Sequence, residues 1–190
     1  MKKIKILSLL FCVVMLVAAC HDDEEGPIIP QPREQVGRTV LVYIVGDNGV
    51  NELSDLFKTN FEDMKEGMKE VDYSKCNLVV YSEMVNDVPR LVSLKKQNGK
   101  VVADTLFTYS EQNPLAKEVM SSVISQTVSY FPADSYGFVF LSHSSSWVPA
   151  TNDANSRSIG YYRRTQMNIP DFHDVLLSSF PRPLKFIIFD

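Results

Sequence analysis

Residues Tyr136–Trp147 read Tyr-Gly-Phe-Val-Phe-Leu-Ser-His-Ser-Ser-Ser-Trp, a short apolar run that ends in one histidine and three serines. Such a run, rich in β-branched and aromatic residues, is typical of a buried strand in an α/β sheet. His143 then stands at the carboxyl end of the strand, where open α/β sheets bind their ligands. The position fits a functional imidazole and a hydrogen-bonded capping histidine equally well.

Three other apolar runs have the length and composition of buried strands: Thr39–Val45, Asn77–Tyr81 and Leu184–Phe189. Amphipathic segments between the strands predict helices over Glu52–Val71, from Asn113-Pro114 to Phe131 with Pro114 at the first helical position, and over Pro170–Phe180. Because strands and helices alternate, the sequence predicts an α/β fold with a mostly parallel sheet of about four core strands and helices on both faces.

A β-hairpin is predicted beside this sheet. Arg90–Lys95 and Lys100–Phe107 alternate polar and apolar residues around an Asn-Gly pair, which is a strong hairpin signal. A long polar loop is expected from His143 through Arg157. Asp47 and Glu83 fall at strand ends on the same side as His143, where they would line a cleft or be solvated.

The N-terminus has the order of features found in export signals. Three lysines precede the apolar run Ile6–Ala19, which is short for a membrane span. The run ends in Leu-Val-Ala-Ala-Cys, which resembles a bacterial lipobox and implies cleavage before Cys20 and lipidation of that cysteine. An ordinary signal peptide with an Ala-x-Ala-like cleavage site is the alternative. Residues 1–19 are therefore predicted to be a signal peptide.

Residues 20–37 are predicted to be a lipidated cysteine followed by an acidic and proline-rich tether, with the folded domain over 38–190. The acidic cluster His21–Glu25 resembles the surface-export signal of Bacteroidetes lipoproteins, and a plain acidic tether would look the same. Pro27–Pro32 reads as a semi-rigid spacer. The resemblance implies an outer membrane lipoprotein, held to the membrane by its lipid and exposed at the cell surface.

Charge and cysteine usage exclude several classes of protein. The formal net charge is −4 at pH 7 and becomes more negative once the lysines of the signal are removed, so nucleic acid is not an expected partner. Cys12 leaves with the signal and Cys20 is lipidated. Cys76 is then alone, so it cannot form an internal disulfide, and it fits no metal-ligand spacing.

His143 and Asp190 end two predicted strands at nearly the spacing of about 50 residues that separates the caspase histidine from its catalytic cysteine. Further motifs accompany this spacing, namely Leu41-Val42-Tyr43 with Asp47-Asn48, Leu141-Ser142-His143 with Trp147, Arg157–Gly160, Met167-Asn168-Ile169 and Phe186–Asp190. Together they resemble the N-terminal part of the clostripain-like cysteine peptidases of the caspase-type clan, over Thr39–Asp190.

The resemblance implies a caspase-like sheet, peptide or protein substrates, and a role for three residues. His143 would be the general base for a cysteine thiol, and Asp190 would lie in an acidic S1 pocket that pairs with Arg or Lys of the substrate. The backbone N–H of Ser144 would stabilise the oxyanion. Ser144 and Ser146 replace glycines of the family pattern, and each adds a Cβ where the substrate backbone approaches, which questions activity.

By the family pattern, the nucleophilic cysteine falls about two residues beyond Asp190, so we expect the 190-residue chain to be inactive and the caspase-like fold to be incomplete. A separately encoded C-terminal chain, a truncation or a break in the gene would all give this sequence. Cys76 begins a strand at the end opposite His143, which predicts a structural thiol. Serines next to His143 are poorly placed to contact its ring nitrogen.

The remaining hypotheses rest on weaker patterns. Arg157 is a candidate processing site within the loop after His143, and it fits a solvated arginine equally well. His21 and His173 are expected to be solvated or capping. No metal site is predicted, and calcium is implied as a cofactor by the family resemblance alone. The alternative function is a non-catalytic surface lipoprotein that binds peptides or glycans, which the Ser144 and Ser146 replacements favour.

Overall fold

The β-branched run that follows Arg38 forms the centre of a six-stranded sheet. The computed structural model describes residues 30–49, 51–144 and 158–190, with the backbone alone at residues 51 and 52. The strands of the sheet are β1 (Arg38–Val45), β2 (Cys76–Glu83), β3 (Arg90–Gln97), β4 (Lys100–Thr108), β5 (Tyr136–Ser142) and β8 (Phe186–Phe189). A separate two-stranded sheet pairs β6 (Ser158–Tyr162) with β7 (Thr165–Asn168).

Strand order in the large sheet is β4-β3-β2-β1-β5-β8. The four predicted core strands β2, β1, β5 and β8 are parallel to one another, and the predicted hairpin β3–β4 joins β2 in antiparallel pairing. The hairpin therefore extends the same sheet at one edge. At the other edge, β8 is paired on one side only, with β5, and exposes Ile187 and Ile188.

Three helices cover the sheet. They are α1 (Asn51–Gly67), which continues as a 3-10 turn over Met68–Glu70, α2 (Lys117–Tyr130) and α3 (Ile169–Ser179). On one face, Phe57 of α1 packs with Val42, Ile44 and Val80. The opposite face carries the larger core. It packs α2 and α3 against the aromatic side chains of the sheet, and the prediction of helices on both faces is confirmed.

The larger core is built mainly from aromatic rings of adjacent strands. Tyr43, Phe138 and Phe140 are at most 1% exposed, and the centroid of the Tyr43 ring lies 6.1 Å and 6.2 Å from those of the two phenylalanines. The Phe140 ring lies 5.3 Å from Phe172 of α3. Full burial of one such side chain contributes about 1.5–3 kcal/mol, so these contacts fix β5 against the helix layer.

The helix α2 begins later than the sequence predicts. Pro114 was expected at the first helical position, yet the helix begins at Lys117. Asn113 explains the difference, because its side-chain oxygen accepts from the Leu115 N–H at 3.0 Å and its carbonyl accepts from the Ala116 N–H at 3.1 Å. These bonds close a turn in which Pro114 is the second residue, a position that proline favours.

An N-terminal strap, residues Arg33–Val36, runs beside the segment that leads into β5. The Arg33 N–H donates to the Tyr130 carbonyl at 2.9 Å, and the Val36 N–H donates to the Pro132 carbonyl at 3.2 Å. Val36 also forms a parallel bridge with Ala133. The strap is thus attached at the amino end of the parallel strands.

Candidate active site

The register of the parallel strands brings the carboxyl ends of β1, β2 and β5 together along one side of the sheet, which we call the His143 edge. Val45 pairs with Glu83 on β2 and with Ser142 on β5, so Asp47, Glu83 and His143 lie along the same edge. Cys76 pairs with Arg38 at the opposite end. The expectation that Cys76 and His143 lie at opposite ends therefore agrees with the strand register.

Asp190 lies beside the end of β5. Its N–H donates to the Phe140 carbonyl at 3.1 Å, and its carbonyl accepts from the Ser142 N–H at 3.2 Å. These two bonds continue the parallel pairing of β5 with β8 by one residue beyond Phe189. His143 and Asp190 thus follow neighbouring parallel strands, and both are exposed at this edge.

Tyr161 of β6 packs beside His143. The two ring centroids are 5.4 Å apart, with the ring planes inclined by 56°. The Tyr161 N–H donates to Ser142 Oγ at 3.2 Å, which ties β6 to the last residue of β5. The site therefore includes a side chain from a strand that the sequence did not predict.

A charged cluster lies on the same edge, where Arg163 links two acidic residues. Its Nε donates to Asp47 Oδ2 at 2.7 Å, and its guanidinium also pairs with Glu111. The Arg163 backbone N–H donates to the Asp47 carbonyl at 2.9 Å. Asp47 is only 5% exposed, so this carboxylate is a buried charge compensated by Arg163, and not the solvated residue that the sequence allowed.

Glu83 is the second buried carboxyl of this edge. It is 2% exposed, and its Oε2 has no hydrogen-bond partner among the described residues. The pKa of Glu83 is raised to about 7, mainly by burial and also by the negative charge of Asp47, while the positive charge of Arg163 opposes the shift. Perturbed carboxyls of this kind are concentrated at functional sites.

The other residues predicted to be functional have a simple placement. Ser144 is exposed directly after His143. His173 is exposed on α3, with its Nδ1 3.3 Å from the Asp174 carboxylate. Cys20, Trp147 and Arg157 lie outside the described residues. Within residues 30–49, 51–144 and 158–190, no group of three or more acidic, histidine or cysteine side chains could hold a metal ion.

The sequence reasoning missed Tyr161 and Arg163 as members of this edge. The turn of the β6–β7 hairpin reads Tyr162-Arg163-Arg164-Thr165, which contains none of the Gly, Asn or Pro residues that mark most hairpins. Arg163 instead adopts a φ of 52° without glycine. Its charged and backbone contacts with Asp47 hold that conformation, and a single sequence does not reveal them.

A mixed, mostly parallel six-stranded sheet with helices on both faces places the chain in the caspase-like class of α/β proteins. The chain belongs to the clostripain family, whose sequence pattern it matches over residues 42–190. The resemblance stated from the sequence is thereby confirmed. A comparison with curated proteins finds no match.

Solved structures of C11 cysteine proteases share this fold. A secreted C11 cysteine protease from Bacteroides thetaiotaomicron is 38% identical, with a TM-score of 0.67 over 81% of this chain and 42% of that chain. An inactive zymogen C11 protease from Parabacteroides distasonis is 30% identical, with a TM-score of 0.67 over 83% and 42%. A cysteine protease from B. fragilis is 41% identical, with a TM-score of 0.55 over 63% and 98%. The chain thus spans less than half the length of the first two relatives.

Proposed function

We propose that this chain is the N-terminal part of a cysteine endopeptidase that cleaves after Arg or Lys. The observation that supports the proposal most directly is the pairing of β5 with β8, which puts His143 and Asp190 at the ends of neighbouring parallel strands in a clostripain-family fold. In this arrangement the His143 imidazole can accept a proton. The Asp190 carboxylate can pair with a basic side chain of the substrate.

The proposed chemistry assigns one task to each residue. His143 takes the proton of a cysteine thiol, so that the thiolate attacks the scissile carbonyl, and later returns the proton to the leaving amine. The backbone N–H of Ser144 donates to the oxyanion that forms during attack. Asp190 binds the Arg or Lys side chain of the substrate through a charge-assisted hydrogen bond.

Cys76 is not the proposed source of the thiol. Cys76 begins β2 at the end of the sheet opposite His143, so it cannot reach the imidazole. We propose that a further segment or chain supplies the nucleophile. The exposed apolar side chains of Leu177, Ile187 and Ile188 would be covered by the same segment.

The proposed location is the outer membrane, with the domain exposed at the cell surface. The support is the lipobox-like sequence that ends in Cys20, together with a relative described as secreted. No helix among the described residues is long and apolar enough to cross a membrane. Residues 1–19 are proposed as the signal peptide, 20–37 as the lipidated tether and 38–190 as the partial peptidase domain. The test is the variant Cys20→Ser, which should release the protein from the membrane fraction.

One further feature of regulation remains a proposal. Arg157 is proposed as a processing site in the loop between His143 and β6, with support from a relative that was solved as an inactive zymogen. No cofactor is proposed for this chain, and calcium dependence is an implication of the family resemblance alone. Mass spectrometry of the mature protein would show whether the chain is cut after Arg157.

The first test is to read the coding DNA beyond the codon for Asp190 and to assay two forms of the protein. We expect the purified 190-residue chain to leave Arg and Lys peptides intact. A form extended through an in-frame Ala-Cys should cleave them and react with a thiol-directed probe that carries arginine. His143→Ala should abolish both activities, whereas His173→Ala, a matched exposed histidine on α3, should keep them.

The second candidate function is a surface lipoprotein that binds peptides without cleaving them. The observation that favours it is Ser144, whose Cβ occupies a position where the family pattern has glycine. In that case an extended form would bind basic peptides and remain unlabelled by the probe. Cleavage of an Arg peptide by the 190-residue chain, abolished by His143→Ala, would contradict both candidate functions as stated.

A further inference from the structure

The β6–β7 hairpin is in direct contact with the strand that carries His143. Gly160 brings the hairpin backbone close to β5, because a Cβ at this position would lie only 2.9 Å from Phe140 Cζ and 2.9 Å from Leu115 Cδ2. Two neighbours of Gly160 on the same strand are also buried, Ile159 at 5% exposure and Tyr162 at 6%. The hairpin is therefore part of the core and not a loop laid over it.

Contacts on both sides of Tyr161 fix the position of its backbone. Before it, Gly160 packs against Phe140 and Leu115. At Tyr161 itself, the N–H donates to Ser142 Oγ at 3.2 Å. Two residues later, Arg163 binds Asp47 through its backbone N–H and its guanidinium. An aromatic side chain that starts from such a fixed backbone has few positions available to it.

We infer that Tyr161 is a positioning residue for His143, and that its ring holds the imidazole at the end of β5. The centroid distance of 5.4 Å and the inclination of 56° fall within the range of attractive aromatic pairs. His143 is otherwise exposed, and an exposed side chain samples several rotamers unless a neighbour restricts it. This inference rests on the proposed function, in which His143 is the base.

The contact between Tyr161 and His143 would matter for catalysis because it restricts where the imidazole can lie. A general base must keep its ring nitrogen within hydrogen-bond reach of the group that it deprotonates. The strand end fixes the Cα of His143, and Tyr161 limits the rotation of the imidazole about its side-chain bonds. In this proposal, Tyr161 acts through its contact with His143.

The test is NMR of the imidazole Cε1–H groups in the full 190-residue chain. The chain has three histidines, and the signal lost in His143→Ala identifies His143. We expect the His143 signal to be displaced by the ring current of Tyr161 from its position in the denatured chain. Tyr161→Leu should abolish this displacement and narrow the signal through faster motion, while Tyr161→Phe should retain the displacement.

Tyr73→Leu provides the matched control, since Tyr73 is a partly buried tyrosine at the 3-10 turn far along the chain from His143. It should leave the His143 signal unchanged. The inference is overturned if Tyr161→Leu leaves the signal where it was, or if Tyr161→Phe shifts it as much as Tyr161→Leu does. The readout does not require peptide hydrolysis. An inactive extended enzyme with an intact ring-current displacement would therefore contradict the proposed function and not this contact.

Discussion

The two ends of the parallel strands differ in how completely their buried polar groups are paired. At the amino end, Thr39 Oγ1 donates to the Phe131 carbonyl at 3.0 Å and accepts from Asn77 Nδ2 at 3.1 Å. Ser135 Oγ donates to the Gly37 carbonyl at 2.9 Å. At the carboxyl end, the buried Glu83 has an oxygen without a hydrogen-bond partner and lies near a second buried carboxylate, Asp47.

The difference separates a structural end of the sheet from the end that carries the candidate site. Satisfied buried hydrogen bonds stabilise a fold and specify its packing, which is what Thr39, Asn77 and Ser135 provide. A buried carboxyl without a hydrogen-bond partner destabilises a fold, and proteins retain such groups mainly at functional sites. Glu83 lies at the same edge as His143, and Cys76 lies at the structural end with the satisfied network.

Of the variants that test this difference between the two ends, Glu83→Gln should have the largest effect on the free energy of unfolding. Burial raises the pKa of Glu83 from 4.5 to about 7, so the folded state binds more protons than the unfolded state between these values. The free energy of unfolding of the wild type should therefore fall as pH rises from 4.5 to 7, by up to about 3 kcal/mol. The variant should lack this fall and be the more stable protein above pH 7.

Urea unfolding from pH 4.5 to 8 measures this effect, and Glu34→Gln serves as its control. Glu34 is exposed on the N-terminal strap, so this variant makes the same change in charge without changing a buried group. Its stability should follow the wild type across the range. Identical pH profiles for the wild type and Glu83→Gln would show that the two ends of the sheet do not differ as described.

An intermediate effect is expected at the amino end from Thr39→Val. Valine keeps the shape of threonine but leaves the Asn77 amide and the Phe131 carbonyl without this partner, which should cost about 2 kcal/mol. Thr59→Val on the exposed face of α1 should change stability by less than about 0.5 kcal/mol. Chemical denaturation at pH 7 compares the variants. A loss no greater than that of the control would mean that the network contributes little.

The smallest effects on stability are expected from two glycine substitutions, at Gly160 near the His143 edge and at Gly137 near the amino end of β5. A Cβ at Gly160 would meet the buried Phe140 and Leu115 side chains, so Gly160→Ala should cost about 1–2 kcal/mol. A Cβ at Gly137 would meet the Phe186 ring, but this ring is partly exposed and can turn away. Gly137→Ala should therefore cost less. Thermal unfolding ranks the two variants, and the reverse order would contradict this argument.

Much of this architecture follows from local sequence patterns. Continuous runs such as Thr39–Val45 predict buried parallel strands, and each of the four predicted core strands is present in the sheet. Because carboxyl ends of parallel strands share one edge, the sequence also predicts that His143 and Asp190 lie near each other. The stripe of apolar residues over Glu52–Val71 predicts α1, which ends at Gly67 before a 3-10 turn.

The parts that could not be predicted depend on contacts between distant residues. The turn at Arg163 is stabilised by Asp47, which precedes it by more than a hundred residues. Glu83 and Asp47 are separate acidic residues in the sequence, and only the register of β1 with β2 brings them to one buried place. Tyr161 is one of eight tyrosines, and nothing in its own neighbourhood distinguishes it as a neighbour of His143.

The N-terminal strap and the candidate site lie at opposite ends of the parallel strands. The strap is attached at the amino end of β5, and the eight residues of β1 separate that end from the His143 edge by about 25 Å. A group attached to the strap would therefore lie at the end of the strands away from His143.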